Sequence, residues 1–182
     1  MKYPILIALT CLFAFRSNGQ THPSRGKFGF VLNSSLNGEV YPIRLVPSVS
    51  YYTGKNQFEL GLGLHPILTK KDRILSCEMN YKFFPNGTAN KFNMFLITRF
   101  SYVNLARDSY YPATYNYLFL NGGYGFEINA FKGAYVGTNI STGAFTYQKS
   151  SQNPYLHYSK ERLFNEIGIN VAFQFCLGYR FK

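Results

Sequence analysis

The sequence predicts an all-β protein, a single eight-stranded antiparallel up-and-down transmembrane β-barrel. Three observations predict it. From about residue 27 onward, apolar and polar residues alternate with a period of two in eight separate runs, the mark of strands with two unlike faces. The runs are about 10 to 15 residues long, where strands of soluble proteins cluster near 5 or 6 and a tilted membrane-crossing strand needs about 9 to 11. The polar face is rich in Gly and poor in Lys and Glu, which suits a crowded lumen and makes a poor water-facing surface. Composition agrees. With 182 residues there is enough chain for one domain, and 46% hydrophobic content at only 15% charged residues excludes a disordered chain. A mean hydropathy of −0.14 means that apolar residues are interleaved rather than gathered in blocks, which excludes a helical membrane bundle.

In chain order, residues 1–19 read as a cleaved secretory signal: Lys2, an apolar stretch from Tyr3 to Phe15, then Ser17 and Gly19 as the small residues before a cut at Gln20. Residues 20–182 are the barrel. Cleavage removes Lys2, Arg16 and Cys11 and leaves a net charge of +9. In the first strand Phe28, Phe30 and Leu32 oppose Lys27, Gly29 and Asn33, and in the second Tyr41, Ile43, Leu45, Val49 and Tyr51 oppose Arg44, Ser48 and Ser50. In the third, Phe58, Leu60, Leu62 and Leu64 oppose Gln57, Glu59, Gly61 and Gly63. The fourth sets Leu75, Cys77, Met79, Tyr81 and Phe83 against Ser76, Glu78, Asn80 and Lys82. In the fifth Phe92, Met94, Leu96, Phe100 and Tyr102 oppose Asn93, Arg99 and Ser101, with Phe95 and Ile97 blurring the pattern. The sixth sets Leu118, Leu120, Tyr124, Phe126 and Ile128 against Asn121, Gly123, Gly125, Glu127 and Asn129. The seventh sets Val136, Ile140 and Ala144 against Gly137, Asn139, Ser141 and Gly143. The last alternates without a break from Ile167 to Phe181.

The connections alternate too. Those at Tyr52–Asn56, Pro85–Lys91 and Phe131–Gly133 are compact, whereas Thr69–Arg73, Ala106–Ala113 and Gln148–Leu163 tend to be longer, with Asn37–Val40 the short exception. Short turns at one end and longer loops at the other is the layout of a barrel crossing an outer membrane, with both termini on the periplasmic side.

The inward face carries both signs of charge. Glu59, Glu78, Glu127 and Glu166 share it with Arg44, Lys82 and Arg99, with Lys27 and Arg180 nearer the periplasmic rim. Buried charges need paired, hydrogen-bonded partners, so these residues are expected to form an ion network that plugs the lumen. Cys77 and Cys176 have opposite parity on different strands, too far apart for a disulfide. His22 and His65 have no ligand-spaced partners, and no metal or other cofactor is expected. The basic residues are dispersed over loops and turns with no recognition helix, which argues against nucleic acid. Lys70, Lys71 and Arg73 in the second outer loop and Lys149, Lys160 and Arg162 in the fourth are expected to face lipopolysaccharide phosphates.

The end of the chain resembles the C-terminal assembly signal of outer-membrane barrels. Gln174, Tyr179 and Phe181 fit it, while Cys176 replaces a Gly and Lys182 adds one residue. Together with the signal and the eight strands, the mature chain resembles the small Gram-negative outer-membrane β-barrel proteins. That resemblance implies an outer-membrane location, contact with its lipid and lipopolysaccharide, and insertion by the barrel assembly machinery. The class includes adhesins, lipid A modifying enzymes and members without known activity. A second, local resemblance lies at Leu156, His157, Tyr158 and Ser159, similar to the His-x-Ser element of outer-membrane lipid A 3-O-deacylases. It implies Ser159 as nucleophile and His157 as base, with Glu161 on the same loop as the carboxylate, although Lys160 stands where that family has Asn. The leading expectation is a non-enzymatic monomer acting through its outer loops; the rival is such an esterase.

Overall fold

The computed structural model describes residues 26–40, 43–64, 72–108, 110–151, 154 and 160–181. Its strands are β1 Lys27–Asn37, β2 Arg44–Thr53, β3 Asn56–Leu64, β4 Asp72–Phe83, β5 Phe92–Arg107, β6 Ala113–Phe131, β7 Ala134–Ser151, the two-residue β8 Lys160–Glu161, and β9 Ile167–Arg180. From β1 to β7 each strand pairs antiparallel with the next, and β9 pairs with both β7 and β1. The ring is therefore closed, an eight-stranded antiparallel barrel, with β8 a short outer appendage beside Lys149 and Ser150 of β7.

The alternation that predicts the strands also fixes their facing. Leu60, Leu62 and Tyr124 are exposed by 61%, 62% and 63% on the outer wall, while Gln57, Glu59, Glu127 and Asn121 beside them in sequence are buried in the lumen. Phe95 and Ile97, which blur the pattern of β5, point inward and pack with Phe84 as an apolar floor near the short turns. Val40, Ile74, Val103, Leu105 and Phe119 form an apolar ceiling at the opposite end. Glycines with positive φ, Gly54, Gly87 and Gly133, stand in the three short turns, where a side chain would be strained. Cys77 is half-buried on β4, Cys176 is buried on β9, and both are free thiols.

The barrel is lopsided. Strands β1 to β3 have 11, 10 and 9 residues, close to what a bilayer requires, whereas β5, β6 and β7 have 16, 19 and 18. This corrects the expected loop boundaries. Residues assigned to the connections Ala106–Ala113 and Gln148–Leu163 continue the ladder as far as the Ala113–Ser151 pair, and Lys160 and Glu161 fold back onto it. The extension was hidden because its outward residues, such as Asn116 and Gln148, are polar, so no apolar outer face signals a strand there.

Candidate functional site

Two regions hold the side chains capable of specific interactions: the charged middle of the lumen and the rim above the apolar belt. In the lumen, Lys82 Nζ meets Glu59 Oε1 at 2.5 Å with both side chains fully buried. The Glu59 carboxylate also accepts from Gln57 at 2.5 Å, Asn80 at 3.0 Å and Asn33 at 3.2 Å. Four donors on one carboxylate are what a buried anion requires. The guanidinium of Arg44 lies 3.2 Å from Glu78 and donates to Ser35 and Asn37 at 3.2 and 3.1 Å. Arg99 donates to Ser141 at 2.6 Å, Ser35 at 3.1 Å and Asn139 at 3.4 Å, and its partners there are neutral. Gln174 joins the two groups, donating to Glu78 at 3.4 Å and accepting from Asn139 at 3.0 Å.

At the turn end Glu127 is ion-paired with Arg180, whose guanidinium lies over the rings of Tyr135 and Tyr52 at 4.2 and 4.8 Å. The two phenols share a hydrogen bond of 2.7 Å. The Tyr135 ring fits because its neighbour on β9 is Gly178, where a Cβ would collide with the ring. Tyr52 and Tyr135 were missed as site residues in the sequence, although each has the parity of the inward set, Ser50 on β2 and Gly137 on β7.

Arg44, Glu59, Glu78, Lys82, Arg99 and Glu127 all point into the lumen and are buried. Glu166 differs from them in height and exposure rather than in side. It precedes the first residue of β9, above the charged layer, and is exposed, its carboxylate accepting from Tyr147 at 3.0 Å. Lys27 is likewise exposed, at the first position of β1. Gln174 and Tyr179 lie on opposite faces of β9, buried and exposed, and Phe181 follows it exposed.

On the rim, Arg73, Lys160 and Arg162 are exposed. Lys149 instead is half-buried, with its ammonium 5.9 Å from the centre of the Tyr115 ring. Lys70 and Lys71 lie outside the described residues, as do the signal segment, His157 and Ser159. Of the esterase set only Glu161 is described, half-buried in β8. Among the described residues no cluster of His, Cys, Asp and Glu is arranged to hold a metal ion.

No protein-family model matches this sequence, and no curated protein does. Solved structures do. The N-terminal β-barrel domain of Pseudomonas aeruginosa OprF is similar with a TM-score of 0.61 at 9% identity, over 88% of this chain and 100% of that one. A major outer membrane protein from Thermus thermophilus is similar with a TM-score of 0.53 at 12% identity, over 87% of this chain and 100% of that one. The fold is thus that of the eight-stranded outer-membrane β-barrels. The deacylase resemblance rests on its few residues alone.

Proposed function

We propose that the protein resides in the outer membrane of a Gram-negative bacterium as a monomeric barrel with a plugged lumen, and acts through its outer rim on lipopolysaccharide or an external partner. One observation carries this. Around its middle a closed barrel presents a largely apolar wall to its surroundings and keeps Glu59, Glu78, Glu127, Arg44 and Arg99 inside, the reverse of a soluble barrel. Residues 1–19 serve as its export signal, and the Gln174, Tyr179 and Phe181 pattern is read by the assembly machinery. Side chains from all eight strands of the ring meet across the lumen, which favours a structural or surface role over transport. The exposed cations Arg73, Lys160 and Arg162 suit the phosphates of lipopolysaccharide.

Orientation is the testable part. Single cysteines at Asp108 and at Lys132 are placed in the full chain, and whole cells are treated with a membrane-impermeant thiol reagent. Labelling at position 108 and protection at position 132 are expected; labelling at 132 alone reverses the assignment of outer loops and periplasmic turns.

A further inference from the structure

The outer wall carries an apolar groove of about 300 Å³ at the top of the belt, where β5, β6, β7 and β9 lie side by side. That volume is at the lower end of ligand-binding clefts, roughly 300 to 1,000 Å³. Its origin is a local break in side-chain size. On β7, Ala144 and Thr146 stand in register between Leu120 and Leu118 on one side and Ile169 and Ile167 on the other, so small side chains form a trough between large ones. The trough is apolar: Thr146 is buried, and its hydroxyl accepts the Phe164 N–H at 2.8 Å.

Phe164 is the second observation. It sits third in a tight turn closed by Asn165 N–H donating to Arg162 O at 3.2 Å, and its φ is +69°. Among the described residues it is the only non-glycine with positive φ. Gly or Asn ordinarily occupies such a position, and a bulky aromatic there is strained. Its ring gains no core in return: it is 68% exposed at the mouth of the groove. Strain of this kind persists where surroundings or function fix it. The same turn holds Arg162 and, just before it, Lys160, both exposed above the groove.

Depth completes the picture. One residue pair above Leu118 the outer wall turns polar, with Tyr102 donating to Asn116 at 2.9 Å, so the groove opens just under the lipid–water boundary. We propose that it seats one acyl chain of lipopolysaccharide, with Phe164 closed over the chain and Arg162 and Lys160 at the level of its phosphates. This rests on the reading that the rim meets lipopolysaccharide, and adds where and by what parts the lipid is held. A soluble partner is disfavoured because the groove lies within the belt, while phosphates and cations are complementary at its mouth.

The full chain is reconstituted in phosphatidylcholine nanodiscs containing a small fraction of bisphosphorylated lipid A, and retained lipid A is counted by native mass spectrometry. Ala144→Phe fills the trough, and Phe164→Gly removes the lip while relieving its backbone. Each is expected to lower retention about threefold, the scale of a single side-chain interaction made within lipid. The unfolding midpoint should be held by the first and held or raised by the second. If both variants retain lipid A as the parent does while the double variant Lys160→Ala with Arg162→Ala loses it, the acyl seat is overturned and the rim contact stands. If the parent retains lipid A no better than phosphatidylcholine, both fall. If Ala144→Phe leaves retention unchanged and abolishes a dimer of the parent, the groove belongs to a second copy and the proposal is wrong.

Discussion

Strands β5, β6 and β7 carry opposite polarity in their two halves. Through the middle of the barrel the outward residues are apolar, Leu96, Phe126 and Ile140, and the inward ones are polar, Arg99, Glu127 and Asn139, with the apolar floor of Phe95 and Ile97 nearer the short turns. Toward the long loops the outward residues become Asn104, Asn116 and Gln148, and the inward ones Leu105, Tyr115, Tyr117 and Tyr147. The inward aromatics stack on one another, Tyr117 on Phe119 at 5.8 Å and against Tyr147 at 5.6 Å. One unbroken ladder thus passes from an inside-out arrangement suited to lipid into the ordinary arrangement of a sheet in water. The hydrogen bonds are indifferent to the change; what inverts is the medium beyond the wall. The place of inversion, between Leu118 and Asn116 on β6, is therefore an internal marker of where the bilayer ends.

Breaking the lower half should have the largest effect. Glu59→Ala leaves Lys82 buried without its anion and should cost about 3 to 5 kcal/mol, read as a lowered unfolding midpoint and loss of heat-modifiable gel mobility. An unchanged midpoint would mean that the charged layer is hydrated rather than closed. Next comes the boundary itself. Tyr124→Arg, in the middle of the belt, should destabilise the barrel in bilayers by about 2 to 4 kcal/mol and Asn116→Arg by about 0 to 1, as the depth dependence of charge on a lipid-facing wall requires. Equal costs from denaturant titrations in vesicles would remove the marker. The smallest effect belongs to the upper half, where Tyr147→Phe deletes the hydrogen bond to exposed Glu166 and should cost less than about 1 kcal/mol. A loss comparable to that of Glu59→Ala would show that the upper sheet is as closed as the lumen.

The same inversion explains what was legible in the sequence. Where lipid lies outside, the outward residues are mostly apolar, and the eight runs, their facing and the inward set Arg44, Glu59, Glu78, Lys82, Arg99 and Glu127 follow from parity. Above Leu118 nothing enforces an apolar outer face, so Asn116, Gln148 and Ser150 resemble loop residues and the ladder through them could not be read. Glu166, one residue before β9, keeps the side that parity gives it, since its carboxylate meets the inward Tyr147, but it stands above the charged layer where the lumen is open. The groove was illegible for a different reason. Ala144 is unremarkable alone and becomes a trough only against Leu120 on the next strand, and a positive φ at Phe164 has no signature in the residue type.

The closing seam has a kinetic consequence. β1 and β9 are joined by nine paired positions, from Gly29 with Arg180 to Asn37 with Ala172, so the ring has no edge strand from which pairing can fray. To leave, any strand of the ring must break two ladders at once while its polar face, with Glu59 or Arg44 on it, enters hydrocarbon. Within the belt, freeing one strand then costs about as much as opening the ring, and the lifetime of the folded state is set by one high barrier there, whatever the upper ends of β5, β6 and β7 do. Such a barrel would outlast conditions in which a soluble sheet of the same marginal stability would already have exchanged, strand by strand, with its unfolded form.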